Sequence, residues 1–200
     1  KTGAILALCS YPTFDPNTYN KVEEIQYFNN HAIFTAYEPG SIMKPLIMAA
    51  AIDQDVLTPE TTFVDEGMRM IDGFKIRNAG DKKYGERTMR EVLIDSINTG
   101  MVFVTERLGQ KSVRDYIKEY GFGEKTGIEL DTEVSGTIAS LEEDAFVYAA
   151  TASFGQGITA TPLQMAQAYS AVANGGKMVA PYIVEKIEDG ENQGKTSYGH

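Results

Sequence analysis

Hydrophobic and polar positions change their period several times along the chain, and each change predicts an element. Residues 4–10 (AILALCS) form a short apolar run, which predicts a buried strand. Residues 11–20 (YPTFDPNTYN) are rich in turn formers and predict a loop. Residues 41–53 (SIMKPLIMAAAID) are the first long apolar run with helix formers, and they predict a helix. Residues 57–67 (LTPETTFVDEG) read as a connection into residues 68–78 (MRMIDGFKIRN), which predict a hairpin turning at Asp72-Gly73. Residues 88–96 predict a helix in which Thr88 caps and Glu91 completes a capping box. Helices at 99–109, stopped by Gly109, and at 112–121, capped by Ser112 and stopped by Gly121, follow.

The stretch 122–140 is rich in Gly and Thr and predicts irregular backbone; 142–152 predicts a further helix. Residues 161–176 carry a helix with Thr161 as cap and Pro162 in its first position. Leu163, Ala166, Gln167 and Tyr169-Ser170 recur at helical spacing, and Asn174-Gly175-Gly176 ends it. Residues 177–189 (KMVAPYIVEKIED) read as a strand pair or one broken strand. Strands at both ends with helices between favour an α+β fold over alternating βαβ units. The terminal strands can share one sheet, with a helical lobe at about 54–150 inside a domain spanning 1–200.

The chain has 200 residues and a net charge of −10, with no basic run. Nucleic acid and an anionic membrane surface are therefore poor partners. The single cysteine, Cys9, can form no internal disulfide, and its place in the apolar run 4–10 predicts a buried, inert thiol. His31 and His200 are far apart and lack metal-binding spacing. No segment is long and apolar enough for a membrane helix. The abrupt opening KTGAILAL suggests a piece of a longer protein.

Candidate chemistry begins at Ser41 and Lys44. At i and i+3 of one helix they share a face, so the Lys44 amine can approach the Ser41 hydroxyl. A serine needs a neighbouring base to become a nucleophile. A lysine can be that base if desolvation lowers its pKa, and the apolar run PLIMAAAI behind Lys44 supplies the desolvation. Pro45 fits the first turn, where its missing N–H removes no helix bond. Helix-start N–H groups also favour an oxyanion near Ser41. The plainer reading is a serine cap and a lysine stem reaching solvent.

Ser96 and Asn98 add a second element. They lie two apart on a tight turn between two helices, where both can face one cleft. Ser96 could relay a proton and Asn98 could bind a substrate amide; the plainer reading is a helix-capping turn.

In order, the segments YEPGSIMKPLIMAAAID, SINTGMVFVTERLG, YGFGEKTGIEL and ASFGQGITATPLQMAQAYSAVANGG make the chain resemble the transpeptidase domain of class B penicillin-binding proteins over residues 2 to 188. The last segment is most similar to the division-type members. The resemblance implies an acyl-transferring Ser41, a Lys44 base, and Ser96 and Asn98 as a second motif. It implies an antiparallel sheet flanked by helices, as in serine β-lactamases. It also implies a membrane-anchored parent whose catalytic domain lies outside the cytoplasmic membrane, beside division or elongation proteins. The substrates implied are peptidoglycan stem peptides ending in D-Ala-D-Ala, with β-lactams as inhibitors and no cofactor. A β-lactam sensor, or a scaffold of a division complex, would share the Ser-x-x-Lys pair.

The family's third motif, Lys-Thr/Ser-Gly on a strand, has three imperfect counterparts here. Lys1-Thr2-Gly3 matches the family's opening turn. Lys125-Thr126-Gly127 matches a structural segment, and Lys195-Thr196-Ser197 lacks the glycine. The tail is not a phosphate loop either, because Gly190 and Gly194 are one residue too close for it. The expectation is that the third-motif strand lies beyond His200.

Overall fold

The computed structural model describes residues 2–187 and the backbone of 196–197. The chain divides into two compact units. One comprises Lys1–Tyr37, Glu124–Gly136 and Ala160–His200; the other comprises Glu38–Gly123 and Thr137–Thr159.

The second unit holds the longest helical layer. A 3-10 turn, Gly40–Met43, runs into α2 (Lys44–Asp53). Further along come α3 (Met89–Ile94), α4 (Asn98–Leu108), α5 (Gln110–Glu119) and α6 (Phe146–Ala152). Helix α2 packs on α4 and α5, and α4 packs on α6. The apolar residues Met43, Leu46, Ile47, Ile97, Met101 and Ile117 are fully buried there. Strands β1 (Thr62–Asp65) and β4 (Gly85–Thr88) pair antiparallel in the register Thr62↔Thr88 to Asp65↔Gly85. Strands β2 (Met68–Ile71) and β3 (Phe74–Arg77) form the expected hairpin, closed by Ile71↔Phe74 around Asp72-Gly73. Asp72 and Gly73 both have positive φ, as such a two-residue turn requires.

The capping box at Thr88 and Glu91 forms as read, and Gly109 ends α4 at φ +87°. Two expectations change. Helix α5 starts at Gln110 with Gly109 as its cap, so Ser112 lies inside the helix and is no cap. The stretch 57–67 is also more than a connection, because Thr62–Asp65 is a strand. Its partner β4, GERT, has no period-2 apolar pattern, which is why the pair was silent in the sequence.

The first unit contains α1 (His31–Phe34) and α7 (Pro162–Ala173). The capping box of α7 joins Thr161 and Gln164. Ile33, Ile128 and Leu163 form a small core, with Ile5 and Leu130 against it. Strands β5 (Lys186–Ile187) and β6 (Thr196–Ser197) pair antiparallel. Residues 4–10 do not form the expected buried strand. Among the described residues they contribute one parallel bridge, Ala4↔Tyr182, and Leu6 is 95% exposed. Cys9 is likewise exposed rather than buried. The physical reason is that a strand is stable only where its N–H and C=O groups find a partner. Among the described residues the ladder here amounts to Ile5 N–H to Tyr182 O and Tyr182 N–H to Gly3 O. Among the described residues, no helix is long and apolar enough to cross a membrane.

Candidate active site

Ser41, Lys44, Ser96 and Asn98 all belong to the second unit. Ser41 sits in the 3-10 turn that leads into α2, and its carbonyl accepts the Lys44 N–H. Lys44 opens α2, and Pro45 occupies the first turn without cost to the ladder. The Lys44 side chain is only 2% exposed, so the solvent-reaching alternative does not hold. Its amine donates to Ser96 O at 2.6 Å and to Ser96 Oγ at 2.9 Å. The Ser96 hydroxyl in turn lies 3.0 Å from Ser41 Oγ. The amine is thus linked to Ser41 through Ser96. Burial in the apolar layer lowers the Lys44 pKa from 10.5 to about 8.

Ser96 occupies the turn between α3 and α4 with φ +56°. A side chain in that region costs about 1–2 kcal/mol, so the turn must be held from outside. Asn98 is the first residue of α4, and its Nδ2 donates to Arg77 O at 3.0 Å. That contact fixes the carboxamide plane.

Two features of this site escape sequence reasoning. The first is the segment Ser153–Gly157. Gly155 has φ +77°, and a Cβ there would meet Gly40 O at 2.2 Å and Gly40 N at 2.3 Å. Gly155 O accepts the Gly40 N–H at 2.9 Å, and Glu38 Oε1 accepts the Gly157 N–H at 2.9 Å. The backbone next to Ser41 therefore rests on another backbone with no side chain between. The paired glycines of SFGQG are the only local signal, and they say nothing of where the loop lands. The second is the buried carboxylate of Asp65, whose bonds reach Asn78 and Thr99.

Of the third-motif counterparts, Lys125-Thr126-Gly127 is tied up internally. Glu133 accepts from Thr126 N, Thr126 Oγ1 and Gly127 N, at 2.8, 2.6 and 3.1 Å. Lys1 and Lys195 lie outside the described residues, as do Gly190, Gly194 and His200. Among the described residues, no group of three or more His, Cys, Asp or Glu side chains is placed to hold a metal ion.

The family profile "Penicillin binding protein transpeptidase domain" matches residues 1–199. Stage V sporulation protein D of Bacillus subtilis is 41% identical over 190 residues, covering 94% of this chain and 29% of that protein. The peptidoglycan D,D-transpeptidase FtsI homolog of Mesostigma viride is 35% identical, covering 96% of this chain and 34% of that protein. The chain thus spans about a third of the length of these relatives. Penicillin binding protein 3 from Mycobacterium tuberculosis, solved with aztreonam, superposes with a TM-score of 0.78 at 27% identity. That match covers 85% of this chain and 38% of the other. A peptidoglycan glycosyltransferase structure from Burkholderia ambifaria gives a TM-score of 0.79 at 26% identity, over 98% of this chain and 56% of the other. Both the sequence order of the segments and the fold carry the likeness, and this chain belongs to the penicillin-binding protein transpeptidase family.

Proposed function

We infer that this chain is the acyl-transferring part of a peptidoglycan D,D-transpeptidase, with Ser41 as nucleophile. Ser41 Oγ attacks the carbonyl carbon of the penultimate D-Ala of a stem peptide. Its proton passes to neutral Lys44 through the Ser96 hydroxyl, and the terminal D-Ala leaves with a proton returned by the same route. An amine of a second stem peptide then attacks the acyl-Ser41 ester and completes the cross-link. The Ser41 backbone N–H serves as one oxyanion donor. Asn98, tethered through Nδ2 to Arg77, offers its carbonyl oxygen to a substrate amide. A β-lactam would acylate Ser41 by the same attack, with the ring amide as the bond that breaks. The setting proposed is the outer face of the cytoplasmic membrane, within a division or elongation assembly.

The observation that supports this reading most is the run of contacts from Lys44 Nζ to Ser96 Oγ to Ser41 Oγ, at 2.9 and 3.0 Å, headed by a lysine whose burial makes it a base near neutrality. The test is labelling of the full-length protein with a fluorescent penicillin. The adduct is expected on Ser41 by mass spectrometry, and Ser41→Ala is expected to abolish it. An adduct on another residue would overturn the assignment. Turnover of a D-Ala-D-Ala peptide separates the enzyme from a sensor that acylates and stops.

A further inference from the structure

Asp65 ends β1 and is 1% exposed. Its Oδ1 accepts from Thr99 Oγ1 at 2.6 Å and from Gly67 N at 2.8 Å. Its Oδ2 accepts from Tyr84 N at 2.8 Å and from Asn78 Nδ2 at 2.9 Å. Burial raises the Asp65 pKa, but the bonds from Thr99, Gly67, Tyr84 and Asn78 outweigh it and hold the carboxyl below its usual range. A buried carboxylate with four donors and no cation among them is costly to assemble without a use.

The donors point to that use. Asn78, 4% exposed, accepts the Thr99 N–H on Oδ1 at 3.1 Å. Its neighbour Arg77 accepts from Asn98 Nδ2 at 3.0 Å. Two adjacent residues at the end of β3 thus hold two adjacent residues at the start of α4, and Asp65 locks both sides of the contact. The strained Ser96 turn lies two residues before this clamp, and on its other side it is tied to α3, whose Leu93 and Val92 carbonyls accept the Ser96 and Ile97 N–H groups at 3.3 and 2.9 Å. With both flanks fixed, Ser96 keeps its positive φ and its hydroxyl stays between Lys44 and Ser41.

We propose that Asp65, acting through Asn78 and Thr99, is a positioning residue that holds Ser96 and Asn98 in register with Ser41. The proposal rests on the acyl-transfer reading of the Ser41 site. Asp65 touches no reacting atom. It sets where the relay hydroxyl and the amide-binding side chain sit.

The test compares four substitutions in the full-length protein by stopped-flow acylation with benzylpenicillin, separating the acylation rate constant from non-covalent binding. In Asp65→Asn, either orientation of the amide sets an NH2 against two donors. Thr99→Val removes the hydroxyl at constant shape, whereas Thr99→Ser keeps it. Ile117→Val, in the buried face of α5, is a destabilised control at a residue that makes none of the clamp's bonds. In the folded protein, Asp65→Asn and Thr99→Val are expected to lower the acylation rate constant by about 10- to 100-fold, the scale of a misplacement near 1 Å. Thr99→Ser and Ile117→Val are expected to keep it within about 2-fold. A folded Asp65→Asn that acylates at the unsubstituted rate would overturn the proposal. If Asp65→Asn does not fold, Thr99→Val against Thr99→Ser decides in the same way. Hydrogen exchange at the Thr99 amide reads the clamp without any activity. Protection lost in Asp65→Asn, or in Thr99→Val where the former does not fold, supports it, and unchanged protection overturns it. A protein never labelled at Ser41 would instead sink the acyl-transfer reading alone.

Discussion

The two units of this chain bury their apolar residues very differently. In the unit of Ser41, the face of α2 is closed over by α4 and α5, and Leu46, Ile47 and Met101 are fully buried. In the other unit, Leu6, Tyr11 and Ile25 are 95%, 89% and 83% exposed, although the same apolar run that holds Leu6 predicts a strand. Helices satisfy their backbone within themselves and need only a covering face, whatever its place in the chain, which here comes from α4 and α5. A strand must find its hydrogen-bond partner elsewhere, and residues 4–10 find one bridge among the described residues. Apolar pattern therefore reports burial well where an element satisfies its own backbone and poorly where it must find a hydrogen-bond partner elsewhere.

The contrast can be tested from the most to the least sensitive position. Lys44→Met should lower acylation by roughly 10³-fold, the scale of a lost general base. It should leave the melting temperature unchanged or higher, because a desolvated amine is replaced by an apolar chain of similar length. A large drop in melting temperature would mean that the lysine is needed for packing. Leu46→Ala in the buried face of α2 should cost about 2–5 kcal/mol in denaturant unfolding. Gly155→Ala should slow acylation by about 100-fold, since its methyl would drive the Gly40 backbone, and Ser41 with it, out of place. A normal rate in that variant would show that the 40–41 backbone does not depend on the loop.

Smaller effects come from pH and from the exposed unit. Acylation should rise with pH and level off above about 8, as Lys44 loses its proton. The sign for stability follows from the same lowered pKa. Between about 8 and 10.5 the unfolded chain carries a proton on this lysine that the folded chain lacks, so stability should increase with pH across that window. Acylation falling between pH 7 and 9 would remove Lys44 as the base. Leu6→Ser should change unfolding by no more than about 0.5 kcal/mol, given its exposure. A cost near that of Leu46→Ala would show that residue 6 is covered in solution and would end the contrast between the units.

Much of the candidate site was legible in the sequence because it is built from short-range patterns. Ser41 and Lys44 share a turn, Ser96 and Asn98 share a turn, a capping box announces where α3 begins, and the Thr161 cap with Pro162 announces where α7 begins. Legibility failed where a bond joins distant residues. The stretch 57–67 reads only as a connection, and in the structure the Asp65 carboxylate bonds Gly67 N. Nothing local says that it also reaches Thr99, which is 34 positions away.

The sequence by itself determined the starts of α3 and α7, the Gly109 stop of α4, the Asp72-Gly73 hairpin, the α+β class and the identity of the candidate nucleophile and base. Those features depend on residue type and on spacings of a few residues, and the physics that reads them is local. Only the tertiary structure decided that Lys44 reaches Ser41 through Ser96, that Gly155 supports the Gly40 backbone, and that the Asp65 carboxylate bonds Thr99 and Asn78. It also decided that Cys9 and Leu6 face solvent. Each of these depends on which distant segment arrives to donate, accept or cover, and hydrogen bonds and desolvation act over a few ångströms in space, whatever the separation along the chain.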